Sequence, residues 1–181
     1  MKSTEQSQGQ SIFDHCWLVY EYFQDLYNHL EYDIPLEYTW KLPDWIYKYK
    51  EQLFENLLPI DIIEEYLKFH DCGKINTREI DVNGKIHFHN HSEESYKIWL
   101  EVGGTKESAE LMKDDMLIHT IKDIDVNNFC KKESCITLLL SGLSEIHSNA
   151  EMFGGINSIG FKVKFKQIDR RGNAICKKLF K

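Results

Sequence analysis

A chain of 181 residues, 42% hydrophobic and 28% charged, is long enough for one domain with a substantial core and too short for two comfortable ones. Five cysteines, odd in number and without CxxC spacing, give poor support to a disulfide framework or a thiolate-rich zinc site. The start lacks the apolar run of a signal peptide, and the longest strongly apolar stretch, residues 136–140, is far short of a membrane span, so a reduced, cytoplasmic protein away from membranes is expected.

Residues 1–10 are polar and without apolar period, which predicts a flexible N-terminus. Ser11 then caps a helix over 12–30, whose Trp17, Leu18, Tyr20, Tyr22, Phe23, Leu26 and Leu30 recur at helical spacing. Residues 31–42, with Pro35, read as a loop, and Pro43 suits the first turn of a helix over 44–57. Pro59 starts a third helix over 60–70, which stops at Cys72-Gly73 with Gly73 as C-terminal cap. Asn83-Gly84 marks a turn between two short extended pieces. Helices follow over 92–102, 106–119 and 132–150.

The closing segment places Phe161, Val163 and Phe165 in alternation with Lys162, Lys164 and Lys166. This period of two predicts a strand or a surface-packed extended segment, with a last short helix after Gly172. The expected architecture is all-α: a flexible 1–10, one helical metal-binding domain over 11–157, and a basic extension over 158–181 packed on it.

Charge divides the same way. From Ser158 onward, eight Lys or Arg stand against the single acid Asp169, so this end is +7 and the remainder is −14, within a net −7. A cationic end on an acidic body fits an anionic ligand, a partner subunit in a homo-oligomer, or internal charge pairing. The acidic body argues against general nucleic-acid binding.

Chemistry concentrates around histidine. His70-Asp71-Cys72-Gly73-Lys74 ends an apolar helix. Adjacent residues at a helix end can point around one ion, an imidazole from one side and a carboxylate from the other. A carboxylate can also bridge two ions, and Lys74 can reach an anionic ligand. His15 sits one turn into the first helix, His91 opens a later one and His119 closes another. His89 reads as a surface or supporting residue, and His29 and His147 as structural.

This order resembles the HD-domain metal-dependent phosphohydrolases over roughly residues 12–150, most specifically in the run from His70 to Lys74. The resemblance implies a first metal site of His15, His70 and Asp71, and a second using His91 and His119, with Asp71 as bridge. The family's late Asp is missing from the helix over 132–150. Glu145 is the local substitute for that ligand, with Asp123 and Asp125 as weaker ones.

Imidazole and carboxylate donors suit one or two divalent ions among Mn, Fe, Co, Ni and Zn. The implied reaction is hydrolysis of a phosphate ester or anhydride, in a nucleotide or related small molecule, with Asp71 and Lys74 as catalytic groups and Lys74 also holding substrate. Two other readings stay open: an HD-type di-iron oxygenase, and a non-catalytic module that binds metal or nucleotide.

Overall fold

Ser11 and Asp14 start the first long helix by capping one another. Ser11 Oγ accepts from the Asp14 N–H (3.1 Å) and donates to the Asp14 carboxylate (2.6 Å), which satisfies orphan donors of the first turn. The computed structural model, which describes residues 1–7 and 9–180, opens with strands β1 (Glu5–Ser7) and β2 (Gln10–Ser11). Helices α1 (Ile12–Tyr32), α2 (Asp44–Lys48), α3 (Lys50–Glu55) and α4 (Ile60–Phe69) follow. A 3₁₀ turn (Cys72–Ile75) and strands β3 (Arg78–Ile80) and β4 (Ile86–Phe88) lead to α5 (His91–Glu101) and α6 (Lys106–Asp114). Last come α7 (Leu117–Thr120), α8 (Val126–Phe129), α9 (Cys135–Met152) and α10 (Ile159–Leu179). The all-α class expected from sequence is what forms, with, among the described residues, only two small antiparallel hairpins, β1–β2 and β3–β4. Among the described residues, no helix is long and apolar enough to cross a membrane.

Two compact units share the chain. The first comprises Met1–Tyr20 and Pro59–Met116. Its α5 packs on α6 and on the 3₁₀ turn, and α4 packs on α6. Cys16, Val19, Ile63, Leu67, Leu111 and Met112 are buried within it. The second comprises Glu21–Leu58 and Leu117–Lys181, with α9 at its centre and α10 laid against α9. The apolar face of α9, from Cys135 through Leu143 to Ala150, is almost wholly buried.

At the N-terminus, β1 pairs with β2 and Gln10 is buried. Three expectations change. The helix over 44–57 is two short ones, α2 and α3, interrupted at Tyr49 (φ −121°), and the helix over 106–119 is likewise divided into α6 and α7, interrupted at 115–116. The closing segment, read as a strand, is the long helix α10, started by Ser158 Oγ accepting from the Phe161 N–H (3.2 Å).

The physical reason for the last change lies in the spacing. Phe161 and Phe165 are four apart, a separation common to a strand face and a helix face. Ile168, Gly172 and Ile175 are also buried and extend the helical series, whereas Val163 is half exposed. Lys162, Lys164 and Lys166 therefore do not form one row. Successive residues turn by 100°, which puts Lys164 across the helix from the other two.

His147 of α9 is structural, as expected. Its Nδ1–H donates to the Leu143 carbonyl (2.7 Å), and its Nε2 accepts from the Lys41 N–H (3.1 Å). Trp40, Phe161 and Phe165 surround the ring. Burial pushes its pKa down to about 4, against weaker opposing contributions from the Leu143 and Lys41 carbonyls.

Two measurements check this packing. Phe165→Ala should cost about 3 kcal/mol in urea unfolding, while Val163→Ala should stay within about 0.5 kcal/mol; comparable losses at both would restore the strand. His147 takes up a proton in the unfolded chain near pH 6.5 but in the folded chain only near pH 4. Its contribution is therefore present above pH 6.5 and is lost as pH falls toward 4, about 3 kcal/mol in all. The expected result is a melting temperature that drops between pH 6.5 and 4.5 in the native chain and much less in His147→Asn. Parallel curves would show that His147 does not govern this range.

Candidate metal centre

The centre begins where α4 stops. His70 caps the helix and turns its ring back, so that Nδ1–H donates to the Leu67 carbonyl (2.8 Å). This fixes the tautomer with the lone pair on Nε2, the form that ligates metals. That Nε2 is buried, lacks a partner at hydrogen-bond geometry, and lies 3.6 Å from Asp71 Oδ2. His91, the first residue of α5, is set the same way by its Nδ1–H bond to the Phe88 carbonyl (2.9 Å). Its Nε2 stands 3.5 Å from the other oxygen, Asp71 Oδ1. From α1, His15 brings its Nε2 to 3.4 Å from Asp71 Oδ2.

Asp71 is the common neighbour. It is only 2% exposed, and Lys74 Nζ contacts its Oδ2 while also donating to Gln6 Oε1 of β1 (3.2 Å). Burial alone would raise the Asp71 pKa, but Lys74 and the His70, His15 and His91 rings hold it well below the usual carboxylate range. At His70, burial opposes the charged ring, and charge interaction with Cys16 and Asp71 overrides it to push the pKa up. The carboxylate is thus ionised, and at His70 a proton competes with a cation for Nε2.

The donor spacing fits a shared ion. Separations of 3.4–3.6 Å are too long for direct hydrogen bonds. Two ligands at about 2.0–2.2 Å from one ion stand about 2.8–3.1 Å apart at octahedral angles and about 3.3–3.6 Å apart at tetrahedral ones. One donor atom each from His15, His70 and Asp71 lies within 4.8 Å of the others, all three buried. These three residues can hold a metal ion.

Neighbouring backbone closes on the site. Gly73, expected as a helix cap, is needed for a different reason. A Cβ there would come within 2.2 Å of the His91 carbonyl oxygen and 2.5 Å of the Ser95 nitrogen. The absence of a side chain lets the 3₁₀ turn meet the start of α5, where the Gly73 N–H also donates to Ser95 Oγ (2.9 Å). Tyr66 donates to the buried Asp115 carboxylate at the end of α6, and its ring meets His70 edge-on.

Five of the expected site residues, His15, His70, Asp71, Lys74 and His91, therefore converge within the first unit. His119 and Glu145 lie in the second, where His119 Nε2 and Glu145 Oε2 pair at 2.7 Å. Models of known protein families, curated proteins and solved structures give no match to this chain.

The remaining candidates have other partners. Asp123 meets Arg170 (3.4 Å), and His89 stacks on His87, which pairs with Asp81 (3.0 Å). His29 donates to the Ile34 carbonyl (2.8 Å). Gln6, Cys16 and Asp115 join the surroundings of the centre without having been singled out in the sequence. Only Cys16 had a local signal, its place beside His15.

Gly73→Ala tests the closure. The added carbon should destabilise the fold by about 1–3 kcal/mol and weaken divalent-metal binding, because His91 and Asp71 are held on either side of the contact. Gly160→Ala is the control, since a Cβ there meets nothing within 4 Å. Equal metal affinity in both variants would separate Gly73 from the centre.

Proposed function

We propose that this protein is a metal-dependent phosphohydrolase of HD type, acting on a phosphate ester or anhydride in a nucleotide or related small molecule. The observation that carries the reading is one buried carboxylate with separated duties. Asp71 offers Oδ2 toward His15 and His70 and Oδ1 toward His91, with Lys74 beside it.

His15, His70 and Asp71 would hold a divalent ion, with Mn, Fe, Co, Ni and Zn all suited to imidazole and carboxylate donors. A bound ion supplies Lewis acidity at a phosphoryl oxygen and hydroxide from water near neutral pH. A second ion would draw on Asp71 Oδ1 and His91 from the same unit.

The chain's own groups divide by access. His15 and His70 have side chains 1% exposed, whereas His91 and Lys74 reach 14% and 12%. The first pair belongs to the floor of the site, and the second pair is the side a substrate meets. Lys74 carries a fixed positive charge, positioned by Asp71 and Gln6, that can take a non-bridging phosphoryl oxygen. Asp71 stays ionised throughout the neutral range, and the Leu67 and Phe88 carbonyls keep the His70 and His91 rings oriented.

Elemental analysis and a nucleotide screen for phosphate release test the reading together. Asp71→Ala should lose its metal and about 10³-fold or more in turnover. Lys74→Ala should keep its metal while losing about 10- to 100-fold in kcat/KM. Full metal occupancy in Asp71→Ala would remove the ligand assignment. Oxygen uptake without phosphate release by the metal-loaded protein would replace hydrolysis with oxygenation.

A further inference from the structure

The second unit contains a cavity of about 540 Å³ between residues 41–48 and α10, built from residues unconnected with the metal ligands. Along α10, Phe165, Asp169, Asn173 and Lys177 line it at every fourth position, so one stripe of the helix forms a wall. Lys41 and Lys48 come from the opposite side.

The walls are fixed by packing. Trp45 lies against Gly172, where a Cβ would fall 2.4 Å from the indole, and its Nε1–H donates to Asp169 Oδ1 (3.1 Å). The backbone of Lys41 is tied to α9 through His147. The site is thus anchored on three elements, α2, α9 and α10.

The charges are arranged for a ligand with two kinds of end. Lys41, Lys48 and Lys177 reach the cavity, and among the described residues none of them pairs with a carboxylate. Lys41 instead lies over the Phe165 ring (4.6 Å). Three unneutralised ammonium groups attract phosphate. The Asp44 and Asp169 carboxylates in the same cavity would repel a bare polyanion, yet they accept hydrogen bonds from hydroxyl or amino groups. The volume lies within the range of small-molecule sites, about 300–1,000 Å³.

We propose that this cavity binds a nucleotide-sized phosphorylated molecule, its phosphates on Lys41, Lys48 and Lys177 and its hydroxyl or amino donors on Asp44 and Asp169. Lys177 comes from the C-terminal part of α10, where the sequence points to a helix after Gly172.

Calorimetric titration of the intact protein in EDTA at low salt, with ATP, inorganic pyrophosphate and adenosine in turn, tests the assignment. ATP should bind at least about tenfold more tightly than either fragment. The Lys41→Ala, Lys48→Ala, Lys177→Ala triple variant should weaken ATP at least about tenfold with its melting temperature kept, since exposed lysines add little to folding. Lys74→Ala should leave ATP affinity within about twofold, because that lysine belongs to the metal centre. Loss of binding in Lys74→Ala, unchanged binding in the triple variant, or no binding of ATP at millimolar concentration would each overturn the proposal. Pyrophosphate binding as tightly as ATP would overturn the nucleotide-sized ligand.

Discussion

An ionised carboxylate inside a protein is costly by several kcal/mol unless charge and hydrogen-bond donors surround it. Asp71 meets that condition with Lys74 on one oxygen and imidazoles from three separate segments around both. The first unit can be read as the arrangement this demands. The end of α4 supplies Asp71 with His70, α1 supplies His15, and the first residue of α5, beyond the β3–β4 hairpin, supplies His91. Backbone carbonyls of Leu67 and Phe88 fix two of the rings before any ion arrives. Stability and ligand geometry are consequently one problem here: a change that disturbs the surroundings of Asp71 alters both.

How much of this was legible depended on how locally each feature is encoded. His70, Asp71 and Lys74 fall within five residues at a helix end, and the order of the other histidines along the chain pointed to His15 and His91. Gly73 was visible as a glycine but misread as a cap. Its actual constraint, contact with the start of α5, comes from residues 18 or more positions away. Gln6 had no signal, because a polar segment without apolar period gives no hint that it will pair as β1. Glu145 was singled out as the substitute for the missing late Asp. Its partner is His119, a pairing that helical spacing alone could not supply.

The basic C-terminal end shows how secondary structure changes the meaning of charge. As an alternating strand, its lysines would have made one cationic row. As α10, its charges are dispersed by function. Arg171 is buried and donates from Nε to the Ile121 carbonyl (3.1 Å), Arg170 meets Asp123, and Lys177 lines the cavity beside Asn173. The excess of +7 read from the sequence is therefore not one electrostatic surface. Buried Phe161 and Phe165, packed against His147, are what set the helix in place and decide where each charge points.

The central claim is that His15, His70 and Asp71 hold a divalent ion through nitrogen and oxygen. Cys16 and Cys72, both buried nearby in the chain, are the natural competing donors. X-ray absorption on cobalt- or zinc-loaded protein tests this most directly. The predicted spectrum has a nitrogen and oxygen shell, outer scattering from at least two imidazole rings, and no sulfur near about 2.3 Å. A sulfur donor in that shell, or protein that retains no ion after dialysis, would contradict the account.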